Sequence, residues 1–321
     1  MLYLSFILIL LVNNFMIKWV IYEFSMILTI SILNIMKNSS KIISIVYYSI
    51  SSISSVMIMF FIIAYNNLSV MSVLSSSILM NLFLLAMFVK LSMFPFHNWM
   101  IYCYEKSSWE QIFLLSSVMK FIPISFFCHF LSLWSNMSIF LILNSIFMSI
   151  YVSTNFSFKK LLACSTSFNN FLLTFMFILE LKQFILFVVL YSFSLFLITS
   201  MLSKFNSSKL FLIFNYSTPK KLFKAWVIVY SMLPMMASFL LKWNLIHEMS
   251  KFNNLLSFMY FLFLISNLLL IWKYMSMIKK AMLISKIKTY YKANLSLGLV
   301  KISLTAMIVF MFIAFNFLNS Y

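Results

Sequence analysis

Long apolar runs separated by short polar clusters dominate the pattern of this chain. A helix that spans the hydrocarbon core of a bilayer needs about 20 largely apolar residues. Eleven runs of this kind are the predicted spans: 2–17, 19–36, 42–65, 69–93, 110–131, 134–156, 161–179, 183–203, 222–243, 254–274 and 299–318. The pattern predicts an all-α polytopic membrane protein of about eleven transmembrane helices, with residues 1–321 forming a single transmembrane domain.

The composition supports this class and narrows the chemistry. Hydrophobic residues make up 64% of the chain and charged residues 9%, whereas soluble domains have about 45–50% and about 25%. The sequence contains no Asp, no Arg and one Gly, so phosphate-binding and dinucleotide-binding glycine loops cannot be built. Cys103, Cys128 and Cys164 form no C-x-x-C pair, which argues against zinc and iron–sulfur sites. We therefore expect no cofactor in this chain.

Lysine supplies all 23 basic residues, and its distribution predicts the orientation of the helices. Cytoplasm-like loops carry an excess of basic residues. Three loop lysines, Lys18, Lys182 and Lys251, fall on the other side, against fourteen on the side of the N-terminus: Lys37, Lys41, Lys106, Lys159, Lys160, Lys204, Lys209, Lys220, Lys221, Lys279, Lys280, Lys286, Lys288 and Lys292. The N-terminus is thus expected on the cytoplasm-like side.

The net charge of +18 is discounted as a sign of an acidic partner, and no nucleic-acid partner is expected. The chain is enriched in Phe, Ile, Met, Asn, Tyr and Lys, all of which have A/T-rich codons. This bias indicates an A/T-rich genome of the kind found in organelles.

Once the charges of the loops and of the span ends are set aside, four charged residues remain inside the predicted spans: Glu23, Lys90, Lys120 and Lys242. A charge at a helix centre costs about 2.5–3.5 kcal/mol on insertion scales, so such residues face the protein interior or internal water and mark functional sites. Glu23 and Lys242 lie near predicted helix ends, where interfacial placement is the alternative. Lys120, about eleven residues into its span, is the hardest to explain without a function.

Proline interrupts three of the predicted spans or their ends, at Pro95, Pro123 and Pro234. Proline removes a helical hydrogen bond, so each residue predicts a kink or break at membrane depth. Two of these prolines end related tetrapeptides, SMFP (92–95) and SMLP (231–234). Paired interruptions of this kind are typical of transporters with internal repeats.

These residue types suit proton movement. Burial disfavours the charged form of a lysine and a nearby carboxylate favours it, so a changing distance between the two can load or release a proton. Glu23 is the candidate partner for one lysine. His97 and His129 are possible members of the path, although an interfacial or packed position is the simpler interpretation of each.

Five stretches combine these charges with prolines and aromatic residues: KWVIYEFSM (18–26), KLSMFPFHNW (90–99), SSVMKFIP (116–123), FKKLLACSTSFNN (158–170) and SMLPMMASFLLKWNLIHEM (231–249). In the same order they resemble the W-x-x-x-E-x-x-M, K-L-G-x-x-P-F-H-x-W, W-Q-K-x-x-P, L-R-K-x-x-A-Y-S-S-I-x-H and L-P-P-x-x-G-F-x-x-K-W stretches of NADH dehydrogenase subunit 2. That family comprises antiporter-like membrane subunits of respiratory complex I.

The resemblance implies that Glu23, Lys90, Lys120 and Lys242 form a proton path. It also implies two five-helix inverted repeats, at about 1–131 and 134–275, followed by a final helix at about 299–318. The fourth and ninth helices would be interrupted.

By the same resemblance, the chain is a proton-translocating subunit of NADH:ubiquinone oxidoreductase in the mitochondrial inner membrane. Its N-terminus would face the matrix and its C-terminus the intermembrane space. Its partners would be other complex I subunits, including neighbouring antiporter-like subunits, and membrane lipids. NADH, FMN, iron–sulfur clusters and ubiquinone would be bound by those other subunits.

The sequence departs from the family pattern at three places. Ser92 replaces a glycine, Asn169 or its neighbour replaces a histidine, and a lysine is missing at Val46-Tyr47-Tyr48. Two alternative functions stay open at this point. One is a free-standing secondary cation/proton antiporter, and the other is a structural subunit whose charges are vestigial.

Overall fold

The structure is all-helical in its described part. The computed structural model describes residues 1–36, 41–66, 76–131, 137–154, 157–204, 227, 230 and 254–284. Its helices are α1 (Leu2–Leu11), α2 (Phe15–Ile35), α3 (Lys41–Asn66), α4 (Ser76–Lys90), α5 (Asn98–Lys106), α6 (Trp109–Ser116), α7 (Val118–Leu131), α8 (Met137–Thr154), α9 (Phe158–Phe168), α10 (Asn170–Leu179), α11 (Leu181–Lys204) and α12 (Asn254–Ile284).

The helices have the length and composition of membrane spans. In the described part, six helical stretches are long and apolar enough to cross a membrane, and α1, α4 and α8 contain shorter apolar helices. The predicted all-α polytopic architecture is confirmed. The eleventh predicted span, 299–318, lies outside the described residues, as does the ninth, 222–243, except for residues 227 and 230.

Two helical stretches form the centre of the protein. Inside Trp109–Phe130, which joins α6 and α7, 83% of the apolar window is buried, and inside Phe158–Leu179, which joins α9 and α10, the share is 94%; it is 33% in Phe15–Ile35. Helix α7 packs against α1, α2 and α10, and α9 packs against α5 and α8. The peripheral helices therefore shield α6–α7 and α9–α10 from the surroundings.

Both central stretches are irregular at one residue. Ser117 leaves the helical conformation (φ −105°, ψ −93°) and separates α6 from α7. A kink or break is predicted at Pro123, and α7 continues through that proline without a break. At the actual break, the hydroxyls of Ser116 and Ser117 donate to the carbonyl oxygens of Ile112 and Phe113, and the Phe113 carbonyl also accepts from the Ser117 amide (3.1 Å).

Asn169 separates α9 from α10 more mildly than Ser117 separates α6 from α7. Its backbone stays close to helical (φ −69°, ψ −8°). Its amide donates to the Ser165 carbonyl, and its carbonyl accepts from Leu173. This residue is therefore a local distortion in a nearly continuous helix.

The fourth predicted span is interrupted, as expected. Helix α4 ends at Lys90, and α5 starts at Asn98. The residues after Pro95, FHNW (96–99), favour a course of the chain out to the membrane interface. Instead, α5 buries Met100, Cys103 and Tyr104 and packs against α9 and α3.

The first helix is shorter than the apolar pattern predicted, and the second helix starts earlier. Helix α1 ends at Leu11, and Asn14 caps α2 by accepting a hydrogen bond from the Met16 amide (3.0 Å). The cap sets the start of α2, since an Asn oxygen satisfies an amide of the first turn. Lys18, predicted to be a loop lysine, consequently lies in the first turn of α2 and is buried.

Helix α12 extends beyond the tenth predicted span, to Ile284 instead of residue 274. At the end of the tenth predicted span, Trp272 and Tyr274 are of the residue types that anchor helices at the membrane interface. Trp272 is 76% exposed and so is free to contact the membrane. Tyr274 is fully buried, and its hydroxyl donates to Ser165, so its side chain packs inside the protein.

We expect Gln111→Leu to destabilise the subunit by about 1–3 kcal/mol, the usual cost of leaving buried polar groups unpaired. Gln111 is fully buried and donates to the Leu33 carbonyl (3.3 Å), while its oxygen accepts from the Ser108 amide (3.0 Å). The measurement is the thermal midpoint of the assembled protein. Glu110→Gln, at the exposed neighbouring position, is the control; equal midpoints for both variants would contradict the prediction.

Candidate functional site

Lys90 is the last residue of α4, and its amine lies against the side of α2 that carries Glu23. The Lys90 side chain is 4% exposed. Its Nζ donates to Met26 Sδ (3.1 Å) and lies over the rings of Tyr47, at 4.4 Å, and Tyr22, at 5.8 Å. These contacts surround the amine with soft acceptors and aromatic faces, which stabilise a cation without neutralising it.

Glu23 is the carboxylate on this side of the site. It follows Tyr22 in α2 and precedes Met26 by nearly one turn, so it lies beside the residues that contact the Lys90 amine. The two charges interact electrostatically. Glu23 Oε1 is buried and has no hydrogen-bond partner in the part of the chain that the structure describes. The carboxylate is therefore held near the lysine without being fixed by a hydrogen bond at that oxygen.

The end of α4 beside Lys90 is a Schellman motif. The Met93 amide donates to the Phe88 carbonyl (2.9 Å), the Ser92 amide donates to the Val89 carbonyl (3.3 Å), and Ser92 has a positive φ of 54°. This pattern ends a helix at a left-handed residue, which is usually glycine because a Cβ is disfavoured there. The turn at Ser92 thus ends the helix three residues before Pro95.

Side chains from three other places close the interruption. Trp99 Nε1 donates to the Val89 carbonyl (3.1 Å), and Asn170 Nδ2 donates to the Leu91 carbonyl (2.9 Å). Asn144 Oδ1 accepts from the Phe94 amide (2.9 Å). Backbone groups freed by a proline beside a buried lysine favour a hydrated spot. At these three groups the protein itself supplies the partner.

Lys120 lies in the first turn of α7, just after the break at Ser117. It is 4% exposed, and its Nζ has no hydrogen-bond partner among the described residues. Cys164 of α9 is near enough to interact with it electrostatically. A buried amine costs several kcal/mol when charged and unpaired, so this position is suited to a group that changes its protonation state.

A strip of buried polar groups on α9 and α10 joins the two lysine sites. Cys164 lies near Lys120, Ser167 follows one turn later and donates to the Cys164 carbonyl (2.9 Å), and Asn170 comes one turn after that. Asn170 then reaches the Leu91 carbonyl beside Lys90, and its Oδ1 has no partner among the described residues. The structure therefore connects the two lysines through one face of a central helix.

Asn169 or its neighbour is the residue that the sequence places at the histidine position of the family pattern. The Asn169 side chain makes no capping hydrogen bond. The side chain of Asn170 makes the contact with the interruption of α4. The helical period from Cys164 through Ser167 would have favoured Asn170, since residues three apart share a face.

The two histidines contact aromatic rings. His97 precedes α5, is largely buried, and lies between the rings of Phe94 and Tyr151 at centroid distances of 5.9 and 5.1 Å. His129 is partly buried in α7 and meets the edge of the Phe177 ring. Both have packed environments. Lys242 and Pro234 lie outside the described residues.

The described residues contain no group of three or more His, Cys, Asp or Glu side chains that could hold a metal ion. Cys103, Cys128 and Cys164 are buried as free thiols. What the arrangement offers chemically is a set of buried amines, one carboxylate and a polar strip, which can bind and pass protons.

The fold is shared with chains of three membrane complexes. A chain of respiratory complex I from Thermus thermophilus matches with a TM-score of 0.74 at 12% identity, over 98% of this chain and 76% of that chain. A chain of the archaeal membrane-bound sulfane sulfur reductase matches with a TM-score of 0.73 at 14% identity, over 99% and 73%. A chain of the Mrp complex from Dietzia sp. matches with a TM-score of 0.63 at 12% identity, over 90% and 59%.

These likenesses define the class: the protein has the fold of the antiporter-like membrane subunits. No protein-family model matches the chain. The sequence is 42% identical to NADH-ubiquinone oxidoreductase chain 2 of Apis mellifera ligustica over 239 residues, which are 74% of this chain and 70% of that protein. The chain belongs to the NADH-ubiquinone oxidoreductase chain 2 family.

We expect Ser92→Gly to be tolerated and to stabilise the turn after Lys90, because a non-glycine residue in the left-handed region costs on the order of 1–3 kcal/mol. Ser92→Val should lower the thermal midpoint and the yield of assembled subunit, since a β-branched residue is excluded there more strongly. Thermal unfolding of both variants tests this. A Val variant as stable as the Gly variant would contradict the left-handed conformation of residue 92.

Proposed function

We propose that this chain is a proton-translocating core membrane subunit of NADH:ubiquinone oxidoreductase. Its family relationship supports membership of that complex, and its fold is that of antiporter-like subunits. The observation that carries the proton role is Lys120, a buried amine without a described hydrogen-bond partner in one of the two most buried helical stretches. A permanently charged lysine would be costly at this buried position, whereas a lysine that alternates between amine and ammonium is compatible with it.

Each charged residue has a role in this proposal. Glu23 modulates the protonation of Lys90, because the two interact electrostatically across the contact between α2 and the end of α4. Lys120 relays protons along the membrane midplane. Lys242 exchanges protons with the far exit. Redox chemistry elsewhere in the complex drives the sequence through conformational and electrostatic coupling.

The setting follows from the same proposal. The subunit lies in the mitochondrial inner membrane, with its N-terminus in the matrix, and contacts lipids and neighbouring antiporter-like subunits. The distribution of its lysines supports that orientation. NADH, FMN, iron–sulfur clusters and ubiquinone bind to other subunits, so this chain contains no redox site. The two five-helix repeats, at about 1–131 and 134–275, belong to the proposal as well.

Lys120→Met should lower proton pumping and coupled turnover about tenfold or more, the usual scale for loss of a general acid–base group. Electron entry from NADH to an artificial acceptor should be unchanged, because that chemistry lies in other subunits. Pumping by the complex in sealed vesicles is the measurement, and Lys106→Met, at an exposed lysine ending α5, is the control. Wild-type pumping in the Lys120 variant would falsify the assignment.

Glu23→Gln should lower coupled turnover about fivefold, which corresponds to an electrostatic coupling of about 1 kcal/mol. Assembly should be retained, since the shape is unchanged and Glu23 Oε1 has no described partner to lose. The comparison is turnover per assembled complex against Glu110→Gln, an exposed carboxylate on α6. Equal turnover in the two variants would remove Glu23 from the path.

The likeness to the Mrp complex leaves one rival, a free-standing secondary cation/proton antiporter. Co-migration of this chain with a large NADH-oxidising assembly supports our proposal. Purification as a monomer that transports protons in liposomes supports the rival. A purely structural subunit is distinguished by the Lys120 and Glu23 variants, since normal pumping in both would mean that these charges have no transport role.

A further inference from the structure

Three neutral side chains enclose the amine of Lys90. Tyr22 and Met26 lie one turn apart on α2 and Tyr47 lies on α3, and we call these three residues the Lys90 cage. All three are at most 4% exposed. Lys90 Nζ is 3.1 Å from Met26 Sδ, 4.4 Å from the centre of the Tyr47 ring and 5.8 Å from the centre of the Tyr22 ring. The amine therefore meets one sulfur atom and two aromatic faces.

The thioether of Met26 holds the cage together. Tyr47 Oη donates to Met26 Sδ at 3.1 Å, and Lys90 Nζ donates to the same atom at 3.1 Å. A thioether sulfur has no hydrogen to donate, so both hydrogen bonds run toward it. One bond fixes the ring that lies over the amine, and the other fixes the amine itself. Loss of the sulfur would therefore release both.

Neighbouring aromatic residues keep the two rings of the cage in place. Tyr22 is stacked on Phe126 of α7 at a centroid distance of 5.2 Å, and Tyr47 lies against Trp99 of α5 at 6.3 Å. Trp99 also donates to the Val89 carbonyl in the last turn of α4. The cage is thus supported by α5 and α7 and is joined to the turn of helix that it encloses.

Glu23 acts on the same amine in a different way. It interacts with Lys90 electrostatically, but no direct ion pair joins the two among the residues that the structure describes. The titratable groups that face the amine in this part of the chain are Glu23 and Tyr22 from α2 and Tyr47 from α3. Tyrosine hydroxyls are neutral near pH 7. The carboxylate thus acts at a distance, whereas the cage contacts the amine directly.

From this geometry we infer that Met26 and Tyr47 are positioning residues of the proton site, which hold the Lys90 amine and stabilise its ammonium form independently of Glu23. A sulfur acceptor and an aromatic face stabilise an ammonium more than a neutral amine, because the positive charge strengthens both contacts. The inference rests on the proposed function and deepens it by naming residues that set the protonation of Lys90. Since the cage is neutral, it favours the ammonium in either protonation state of Glu23.

Met26→Leu in the assembled complex tests the inference. Leucine fills a similar volume but has no acceptor, so the ammonium should be about threefold less favoured, near the lower end of what one hydrogen bond contributes. The alkaline limb of the pH profile of coupled turnover should move about half a pH unit to lower pH, because one unit corresponds to a tenfold change. Met16→Leu, at an exposed methionine of α2, should keep the wild-type profile.

Tyr47 separates the effect of the ring from that of the hydroxyl. Tyr47→Leu removes the ring and should move the alkaline limb in the same direction as Met26→Leu. Tyr47→Phe keeps the ring over the amine and should move the limb less than Tyr47→Leu does. The control is Tyr48→Leu, at the exposed neighbouring position on α3, which should leave the profile unchanged.

The double variant Glu23→Gln/Met26→Leu tests whether the cage acts independently of the carboxylate. Its alkaline limb should lie below that of Glu23→Gln by the same half unit that separates Met26→Leu from the wild type, since independent effects add. The absence of any further shift would show that Met26 acts only through Glu23 and would overturn the independence.

The inference and the proposed function fail in different ways. If Met26→Leu and Tyr47→Leu lower the thermal midpoint but leave the pH profile of the assembled complex at its wild-type position, the cage serves packing alone and the inference is overturned. Either variant decides this if the other does not assemble. If Lys120→Met and Glu23→Gln also pump like the wild type, the proposed function itself fails.

Discussion

Backbone groups that leave a helix at membrane depth must find partners inside the protein, because the hydrocarbon core offers none. This constraint explains where the irregular residues of the chain lie. Ser117 and Asn169 interrupt the two most buried helical stretches. The turn between α4 and α5 is closed by side chains from α5, α8 and α10. The helices are therefore interrupted at places where neighbouring helices bury them.

The helix interruptions also determine where the buried lysines lie. Lys90 is the last helical residue before the Schellman turn, so its amine reaches α2 beside Tyr22 and Met26. Lys120 follows the break at Ser117 within one turn. Each lysine therefore lies next to an irregular backbone segment whose position is set by its neighbours. A small movement of α2 relative to α4 would change the distance between Glu23 and Lys90, and such a change alters which protonation state is favoured.

The polar groups between the charges are mostly neutral. Ser167 and Asn170 form one face of the central helix, and Ser165, which is hydrogen-bonded to Tyr230 and Tyr274, lies on another. Neutral groups that both donate and accept hydrogen bonds can be buried at low cost when they are paired, whereas an additional charge would need a counter-charge. Neutral groups of this kind give the centre of the protein its polar character.

The sequence by itself determined the membrane class, most of the helices and the charges that do not belong in lipid, because hydropathy and the cost of burying a charge are local properties. It also located the interruption after Lys90, although the helix ends at Lys90 through the left-handed turn at Ser92 and not at Pro95. Only the tertiary structure decided that the next break lies at Ser117, that Asn170 is the connecting asparagine, and that Tyr274 is buried. These features depend on which partners reach a backbone group or a hydroxyl from distant helices, and no local pattern contains that information.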